Sequence, residues 1–473
     1  MLTQLATVLA TLTLVMMFGY HIIIYLGARR HVHRLTSLDG DAVPRGSCET
    51  CVSIVVPTKG EPLDMLASAT KAKAEAIKKS SLRCGEVLII SDDDADYVRE
   101  LKKALRPYVD EGLVKVIRRE NPSGGRTGAL DYGAKVASGE YVLILDSDSK
   151  VSAETLSALH AKICTERPPA VVLPWKGYSL MDTRLAEAIE FNTDTTSFLL
   201  YKLRWAGGFF IFPLGSGTAV RKDVLEEVGY WGPNVIQDDI WLGTKLAGKG
   251  YMPDLLPEGS TEVLVPAKLK SFRIQQSRWA YGASEIISKT LDKILKSPLP
   301  LGTRLEMVLY VLQPSISIPL TVASILAFIA AFVEPGWDVL KALHSMSIML
   351  SAALAELVIL TYAALHINLG KIIKSAKRKA AAVQLGRAAA VYGVLYPVIG
   401  FYSLLGLLRI KLSYKITPKA GAEEELKGDW VPYLTASVSG AGIIASAFSN
   451  NIVAMLLMLL SFISSVYSIV RLE

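Results

Sequence analysis

Hydrophobic positions along this chain follow three different patterns, and the patterns divide it. At the two ends they form long runs almost free of charge. Leu5–Leu26 contains no Lys, Arg, Asp or Glu, and about 20 such residues are enough to cross a bilayer core as a helix. Met307–Val333 and His344–Gly370 read the same way, joined by the short Glu334–Ala342 link. Val431–Phe448 and Asn451–Val470 make a tighter pair around Ser449 and Asn450. In the middle, short β-branched runs (Cys51–Pro57, Gly85–Ile90, Leu113–Val116, Tyr141–Leu145) alternate with helical stretches such as Met65–Lys79. That alternation predicts a mostly parallel sheet covered on both faces. Ala380–Leu408 fits neither pattern: it is apolar enough to cross, yet Gly393, Pro397, Gly400 and Gly406 interrupt it.

Charge sharpens the division. The chain has 473 residues, 51% of them hydrophobic and only 20% charged, so it is neither a disordered chain nor a small disulfide scaffold. Arg29, Arg30, His31, His33 and Arg34 follow the first apolar run. A cleavable signal peptide has its basic cluster in front, so the order here predicts an uncleaved anchor whose basic end is cytoplasmic. Lys371, Lys374, Lys377, Arg378, Lys379 and Arg387 place the later loop on the same side. If 380–408 crossed once, the Lys-rich stretch after it would fall outside, so this segment is expected to lie in the cytoplasmic interface or re-enter from it. The expected organisation is an anchor (1–28), a catalytic domain (48–265), interfacial helices (266–303), a helix pair (304–370), a basic and interfacial stretch (371–430) and a last pair (431–473). An integral membrane protein with a cytoplasmic domain follows, with membrane lipids as partners and no nucleic acid.

Candidate chemistry lies at strand ends. The second strand runs into Ser91-Asp92-Asp93-Asp94 and the fourth into Asp146-Ser147-Asp148. In parallel sheets ligands bind beyond the carboxyl ends of the strands. Asp is also a common turn and cap residue, but a buried strand aiming two carboxylates at one place suits a hard divalent cation bridging phosphates. The chain contains no Gly-x4-Gly-Lys-Ser/Thr loop. Four cysteines are too few to staple a chain of this length. Cys48-x-x-Cys51 lacks the second pair that a structural zinc site needs, and a Cys51–Cys84 disulfide is open. His21 and His344 show no metal spacing, and Glu356 inside an apolar stretch marks either function or a hydrogen-bonded carboxyl. Phe198–Pro213, apolar with Lys202, Arg204 and Trp205 interleaved, reads as a membrane-facing acceptor surface or as a buried helix behind the sheet.

Six motifs then occur in order: Val56-Pro57-Thr58 with Glu61; Ser91-Asp92; Gly125-Arg126-Thr127-Gly128-Ala129-Leu130; Asp146-Ser147-Asp148; Gln237-Asp238-Asp239 through Gly243; and Gln275-Gln276-Ser277-Arg278-Trp279. Their order resembles the family 2 glycosyltransferases, in the membrane branch that includes cellulose, chitin and hyaluronan synthases. Tyr414–Lys419 is similar to the gating loop of cellulose synthase. The resemblance implies a GT-A α/β catalytic domain with added membrane helices, and an inverting hexosyl transfer from a nucleotide diphosphate sugar, GDP- or UDP-linked. It implies Asp239 as general base and Mg²⁺ or Mn²⁺ held by Asp148 and Asp146. Pro57, Thr58, Glu61, Asp92, Arg126, Asp146, Gln275, Arg278, Trp279, Thr417 and Lys419 would bind the donor, and Trp231, Asp238 and Trp279 the acceptor. Two positions depart from the family pattern, Asp238 standing for Glu and Arg126 for Lys; each keeps its charge and changes its reach. Fewer spans than in cellulose synthase favour transfer of one hexose to a lipid-linked acceptor of polyprenyl or dolichyl type. The alternative is a processive polysaccharide synthase.

Overall fold

The computed structural model describes residues 1–29, 48–232, 235–334, 376–412, 417–419 and 421–472, with isolated positions between 347 and 358. The expected second helix of the 304–370 pair, with His344 and Glu356, lies outside the described residues, as do the Lys371–Lys374 start of the basic loop and Tyr414.

The catalytic domain is built on a seven-stranded sheet in the order β3-β2-β1-β4-β8-β6-β9. β1 (Val52–Thr58) pairs in parallel with β2 (Gly85–Ser91) on one side and β4 (Tyr141–Ile144) on the other, while β3 (Val114–Arg118) continues in parallel beyond β2. β8 (Thr218–Arg221) runs antiparallel between β4 and β6 (Ala170–Val172), and β9 (Asp254–Leu255) closes the far edge. The β-branched runs make strands because successive side chains point to opposite faces and both faces are buried. Ile54, Val56, Val87 and Ile89 face the Leu63–Lys79 helix through Leu66 and Ile77. Their neighbours Val55, Leu88 and Ile90 face the Gly125–Val136 helix through Ala129, Leu130 and Ala134. A second sheet of three short strands, β5 (Lys150–Val151), β10 (Thr261–Leu264) and β7 (Trp175–Tyr178), stands beside the β4 end.

Both acidic clusters therefore leave the parallel strands that flank β1, at the same edge of the sheet. The turn before the Gly125–Val136 helix is tight: Gly124 and Gly125 take positive φ, and a Cβ at Gly128 would meet the Ser123 carbonyl oxygen at 2.0 Å. Only glycine fits that close approach.

Among the described residues, five helices are long and apolar enough to cross a membrane: Leu2–Arg29, Leu301–Val333, Ala381–Leu407, Val431–Phe448 and Ile452–Arg471. The first packs on Leu301–Val333 and Ile452–Arg471 through small residues, Ala6 and Ala10 meeting Ala323, Ala327, Ala331 and Ala454. Small side chains let helix backbones approach closely in lipid. At the end away from the catalytic domain, Glu334 accepts from Leu2 N, Thr3 N and Thr3 Oγ1, and Asn451 Nδ2 donates to Thr3 Oγ1. This satisfies amide groups that a helix start leaves unpaired.

Three expectations are corrected. Ala376–Leu407 is one continuous helix with Pro397 inside it, rather than an interrupted segment. Its glycines are contact points: Gly400 lies against the Ser317 carbonyl and Gly406 against the Tyr281 carbonyl. The helix follows Leu269–Leu295 in the same direction, since Tyr392 stacks edge-on at 5.8 Å from Phe272 while Gly406 meets Tyr281. Arg387 pairs with Glu187 near its other end, so both ends rest on helices of the catalytic side.

Second, the four cysteines do staple the chain. Cys48 bonds Cys164 and Cys51 bonds Cys84, which leaves no thiol for zinc. Third, Phe198–Pro213 is buried rather than a membrane-facing surface. A turn of π-helix, Phe198–Leu203, delivers Arg204 into the interior. Its guanidinium meets both Glu306 oxygens at 2.7 and 2.9 Å, Tyr20 Oη donates to the same Glu306 at 2.8 Å, and the Tyr310 ring covers it at 4.1 Å. An ionised side chain without water needs such a partner and added hydrogen bonds. Arg204, through Glu306, ties the first helix, the catalytic domain and the Leu301–Leu312 helix to one another.

Candidate active site

The site is assembled on the carboxyl ends of β1, β2 and β4, with two helices supplying its other walls. Asp92 follows β2, and its backbone N–H donates to Thr58 at the end of β1. Both its oxygens take a guanidinium fork from Arg119 at 2.6 Å, and both side chains are buried. Arg119 also donates to the Ser123 and Gly125 carbonyls, so it fixes Asp92 relative to the glycine turn. Arg119 carried no motif and was not legible from the sequence. Pro57 and Glu61 line the same edge, half-buried.

Asp146 and Asp148 sit just beyond β4. Ser216 Oγ accepts from the Asp146 N–H, and Tyr178 Oη donates to the Asp148 carbonyl at 2.6 Å. Lys419 Nζ reaches Asp148 Oδ2 at 2.8 Å and Glu61 Oε1 at 3.3 Å. Burial opposes the charge on Lys419, but Asp148, Glu61 and Asp146 outweigh it and raise the ammonium's pKa. Thr417 is buried beside it. The residues after this loop are anchored on the same side: Glu423 accepts from the Ala267 and Lys268 amides, and Asp429 pairs with Arg273. Under the acidic turn lies a second unforeseen cation, Lys73, fully buried on the Leu63–Lys79 helix with Nζ 3.4 Å from the Ser147 carbonyl. Burial brings its pKa down to about 8, against the pull of Asp148 and Asp146. Among the other lysines of an amphipathic helix, nothing in the sequence distinguished it.

The third element is the Asp238–Gly248 helix, with Asp238 and Asp239 in its first turn. A carboxylate there is favoured by the helix dipole. Asp239 Oδ2 accepts from the Gly215 N–H at 3.0 Å and Oδ1 from the Ile240 N–H at 2.8 Å. Burial, then the charge of Asp238, pushes its pKa up to about 7. Burial raises Asp238 as well, with Arg126 opposing and Asp146 adding to the rise. Arg126 joins the two halves of the site: it pairs with Asp146 at 2.7 Å and with Asp238 at 3.2 Å, and also donates to the Gly215 carbonyl.

The Leu269–Leu295 helix brings in Gln275, Arg278 and Trp279, all half-buried. Trp279 faces Trp175 with ring centroids 5.8 Å apart and 37° between planes, and its carbonyl lies 3.5 Å from Gln237 Nε2. Trp175, missed in the sequence, is held by its indole N–H on the Ser216 carbonyl at 2.7 Å. Trp231 is placed differently from its expected role at an acceptor surface. It is 2% exposed, packs in the core beneath Asp238 and Asp239, and gives its carbonyl to the Trp241 indole.

Acids on the two parallel strands flanking β1, an Arg bridge to a helix-borne acid pair and the sheet order together define a GT-A-like α/β domain. Residues 141–367 match the family described as Glycosyl transferase family group 2. A probable glycosyltransferase of Sulfolobus acidocaldarius is 29% identical over 414 residues, 86% of this chain and 84% of that protein. The poly-beta-1,6-N-acetyl-D-glucosamine synthase of Staphylococcus aureus is 25% identical over 212 residues, 45% of this chain and 50% of that one. Among solved structures, the mannosyltransferase PcManGT from Pyrobaculum calidifontis, in complex with GDP-Man and Mn2+, superposes with a TM-score of 0.55 at 18% identity, covering 87% of this chain and 100% of that chain.

Proposed function

We propose that this enzyme moves one hexose, with inversion, from a nucleotide diphosphate sugar to a lipid-linked acceptor at the cytoplasmic membrane face, with Asp239 as general base. The observation that carries the reading is the single Arg126 bridge between Asp146, on the donor side, and Asp238, beside the base. It ties the two reacting halves to one guanidinium.

Asp239 takes the proton from the acceptor hydroxyl, and a pKa near 7 makes it a far better base than an exposed carboxylate. The acceptor oxygen then attacks the anomeric carbon as the bond to the diphosphate breaks on the opposite face. One in-line displacement inverts that centre, so an α-linked donor gives a β-linked product. Lys419, already protonated and buried at the acidic edge, meets the charge that develops on the leaving diphosphate. Arg278 offers a planar fork to the same group, and the paired faces of Trp175 and Trp279 suit a sugar ring. Asp92, fixed by Arg119, faces the nucleoside end.

Asp146 and Asp148 fit Mg²⁺ or Mn²⁺: both are hard oxygen donors, and Asp148 already holds a cation, the Lys419 ammonium. A bound ion supplies charge neutralisation to a diphosphate. The mannosyltransferase with GDP-Man and Mn2+ supports a nucleotide diphosphate sugar as the donor. The processive alternative is not favoured, because the likeness to a polymer synthase spans under half of the chain.

The acceptor reading rests on Trp279 standing on the helix along which the apolar Ala376–Leu407 helix lies. A cytoplasmic catalytic domain follows from the basic residues after the first span. This orientation puts the Cys48–Cys164 and Cys51–Cys84 bonds on the cytoplasmic side, where disulfides are rare outside hyperthermophiles. The deciding experiment for the base is Asp239→Asn, which should retain donor binding and lose about 10²–10⁴ in transfer rate. Near-normal turnover would remove Asp239 from the mechanism.

A further inference from the structure

Cys48 and Cys51 precede β1 and Cys84 precedes β2, so the disulfides lie at the amino edge of the sheet, opposite the acids. The seven residues of β1, at about 3.3 Å each, hold this edge roughly 20 Å from the active site. A histidine stands with one of the two bonds. His160 and Cys164 are four positions apart on the Ala153–Glu166 helix, a spacing that puts both side chains on one face. A ring nitrogen of His160 and the sulfurs of Cys48 and Cys164 all lie within 4.8 Å of one another. His160 is 8% exposed, and its Nε2 is buried with no hydrogen-bond partner among the described residues. Its Nδ1 lies 3.5 Å from Ser81 Oγ. A buried polar atom without a partner is costly, and an apolar ring would pack here without that cost. The Cys48–Cys164 bond explains why the two sulfurs are adjacent; it does not explain the imidazole.

We propose that two-electron reduction of the Cys48–Cys164 bond turns this group into a zinc site, with Cys48, Cys164 and His160 as ligands and water in the fourth position. A dithiol supplies the electrons. One of its thiolates attacks a sulfur of the bond, and its second thiolate then frees that cysteine and closes the dithiol's own disulfide. Two cysteine thiols result, and Zn²⁺ displaces their two protons. Thiolate and imidazole are the donors zinc prefers, and two thiolates with a neutral imidazole cancel its charge, which suits a half-buried place. Tetrahedral zinc, with Zn–S about 2.3 Å and Zn–N about 2.0 Å, sets the sulfurs about 3.8 Å apart and each about 3.5 Å from the nitrogen. The three side chains already stand within 4.8 Å, so small rotations suffice. With Nε2 on the metal, Nδ1–H is left to donate to Ser81 Oγ, the kind of second contact that orients a metal-bound imidazole. Zinc then ties the entry of β1 to the Ala153–Glu166 helix when the disulfide is absent. That the site fills in the cell rests on the cytoplasmic orientation proposed above; the binding chemistry does not.

The test uses the full chain in detergent, oxidised or reduced with a phosphine, which brings no thiol to compete for metal. Each form is titrated with Co²⁺ and then with Zn²⁺. Thiolate-to-cobalt charge transfer in the near ultraviolet reports sulfur ligands alone, so cobalt on Asp146 and Asp148 adds nothing to it. Reduced wild type should show the band and lose it to Zn²⁺, and the oxidised chain should show none. His160→Ala should weaken binding by more than about 100-fold, the upper end for losing a residue that only orients a ligand. Alkylation with peptide mapping gives a second readout on wild type itself: zinc should shield Cys48 and Cys164 and leave Cys51 and Cys84 reactive. No band in the reduced chain, equal affinity in His160→Ala, or shielding of Cys51 and Cys84 in place of the other pair would overturn the proposal. Sugar transfer is not measured, so failure here leaves the proposed reaction standing, and failure of that reaction leaves this site standing.

Discussion

Removing the charge of Asp238 should make Asp239 a weaker base that works at lower pH. Asp239 rises from 3.8 to about 7, with burial the first cause and Asp238 the second. The backbone N–H groups of Ile240 and Gly215 and the charge of Arg126 oppose the rise. In Asp238→Asn, burial remains and the carboxylate repulsion goes, which lowers the pKa of Asp239; each unit of such a fall is about 1.4 kcal/mol between its two protonation states. The sign follows from the base being active when ionised. In wild type, kcat/KM falls tenfold per unit as pH drops below about 7. In the variant the fall begins at a lower pH, while the plateau drops because Arg126 loses a partner. The assay is release of nucleoside diphosphate from a nucleotide diphosphate sugar, at subsaturating donor, over a pH series spanning about 7. Asp239→Asn serves as the reference in which the acidic limb should disappear. An unchanged limb in Asp238→Asn, or the wild-type limb persisting in Asp239→Asn, would refute the electrostatic coupling of the pair.

Other consequences are open to direct measurement. Asp148→Ala should weaken binding of a nucleoside diphosphate with Mn²⁺ present, and excess EDTA should abolish turnover; full activity in EDTA would make the acidic pair a turn only. Arg204→Ala strands Glu306 in the interior and should destabilise by about 3–5 kcal/mol, whereas Arg204→Met with Glu306→Leu should lose far less; thermal unfolding in detergent distinguishes them, and a single variant as stable as wild type would refute the buried pair. The disulfides close loops of 116 and 33 residues, so chain entropy assigns each about 4–5 kcal/mol; reduction verified by thiol counting without a fall in Tm would contradict this. Because no cysteine among the described residues is free, Ala420→Cys adds a single reactive thiol. It should label only from the cytoplasmic side of sealed vesicles, and outer labelling alone would overturn the orientation.

The active-site acids were readable because each sits on a short motif whose place in the topology is forced. A β-branched run ending in Ser91-Asp92 or Asp146-Ser147-Asp148 can only present those acids at the carboxyl edge of a parallel sheet. Asp238 and Asp239 open an amphipathic helix that must pack on that sheet. The residues that organise the site were not readable. Arg119 and Lys73 look like any surface cation in sequence, and their burial against Asp92 and under Ser147 arises only when distant segments pack. Trp175 gains meaning only from Trp279, about a hundred positions away.

The sequence by itself determined the strands, the apolar helices and the order of chemical groups, because alternation, β-branching and charge-free length act within one segment. Tertiary structure alone decided which groups meet. It turned Phe198–Pro213 inward, since Arg204 found Glu306 and could be buried without an unpaired charge. It withdrew Trp231 into the core, where sequence gave only an aromatic near the acids. It paired Cys48 with Cys164 rather than with a metal, because folding brought two distant backbones within bonding distance. It also straightened Ala376–Leu407 into one helix: glycine and proline break a lone segment, but where neighbouring backbones press against the missing side chains, the same glycines become the surfaces that hold it.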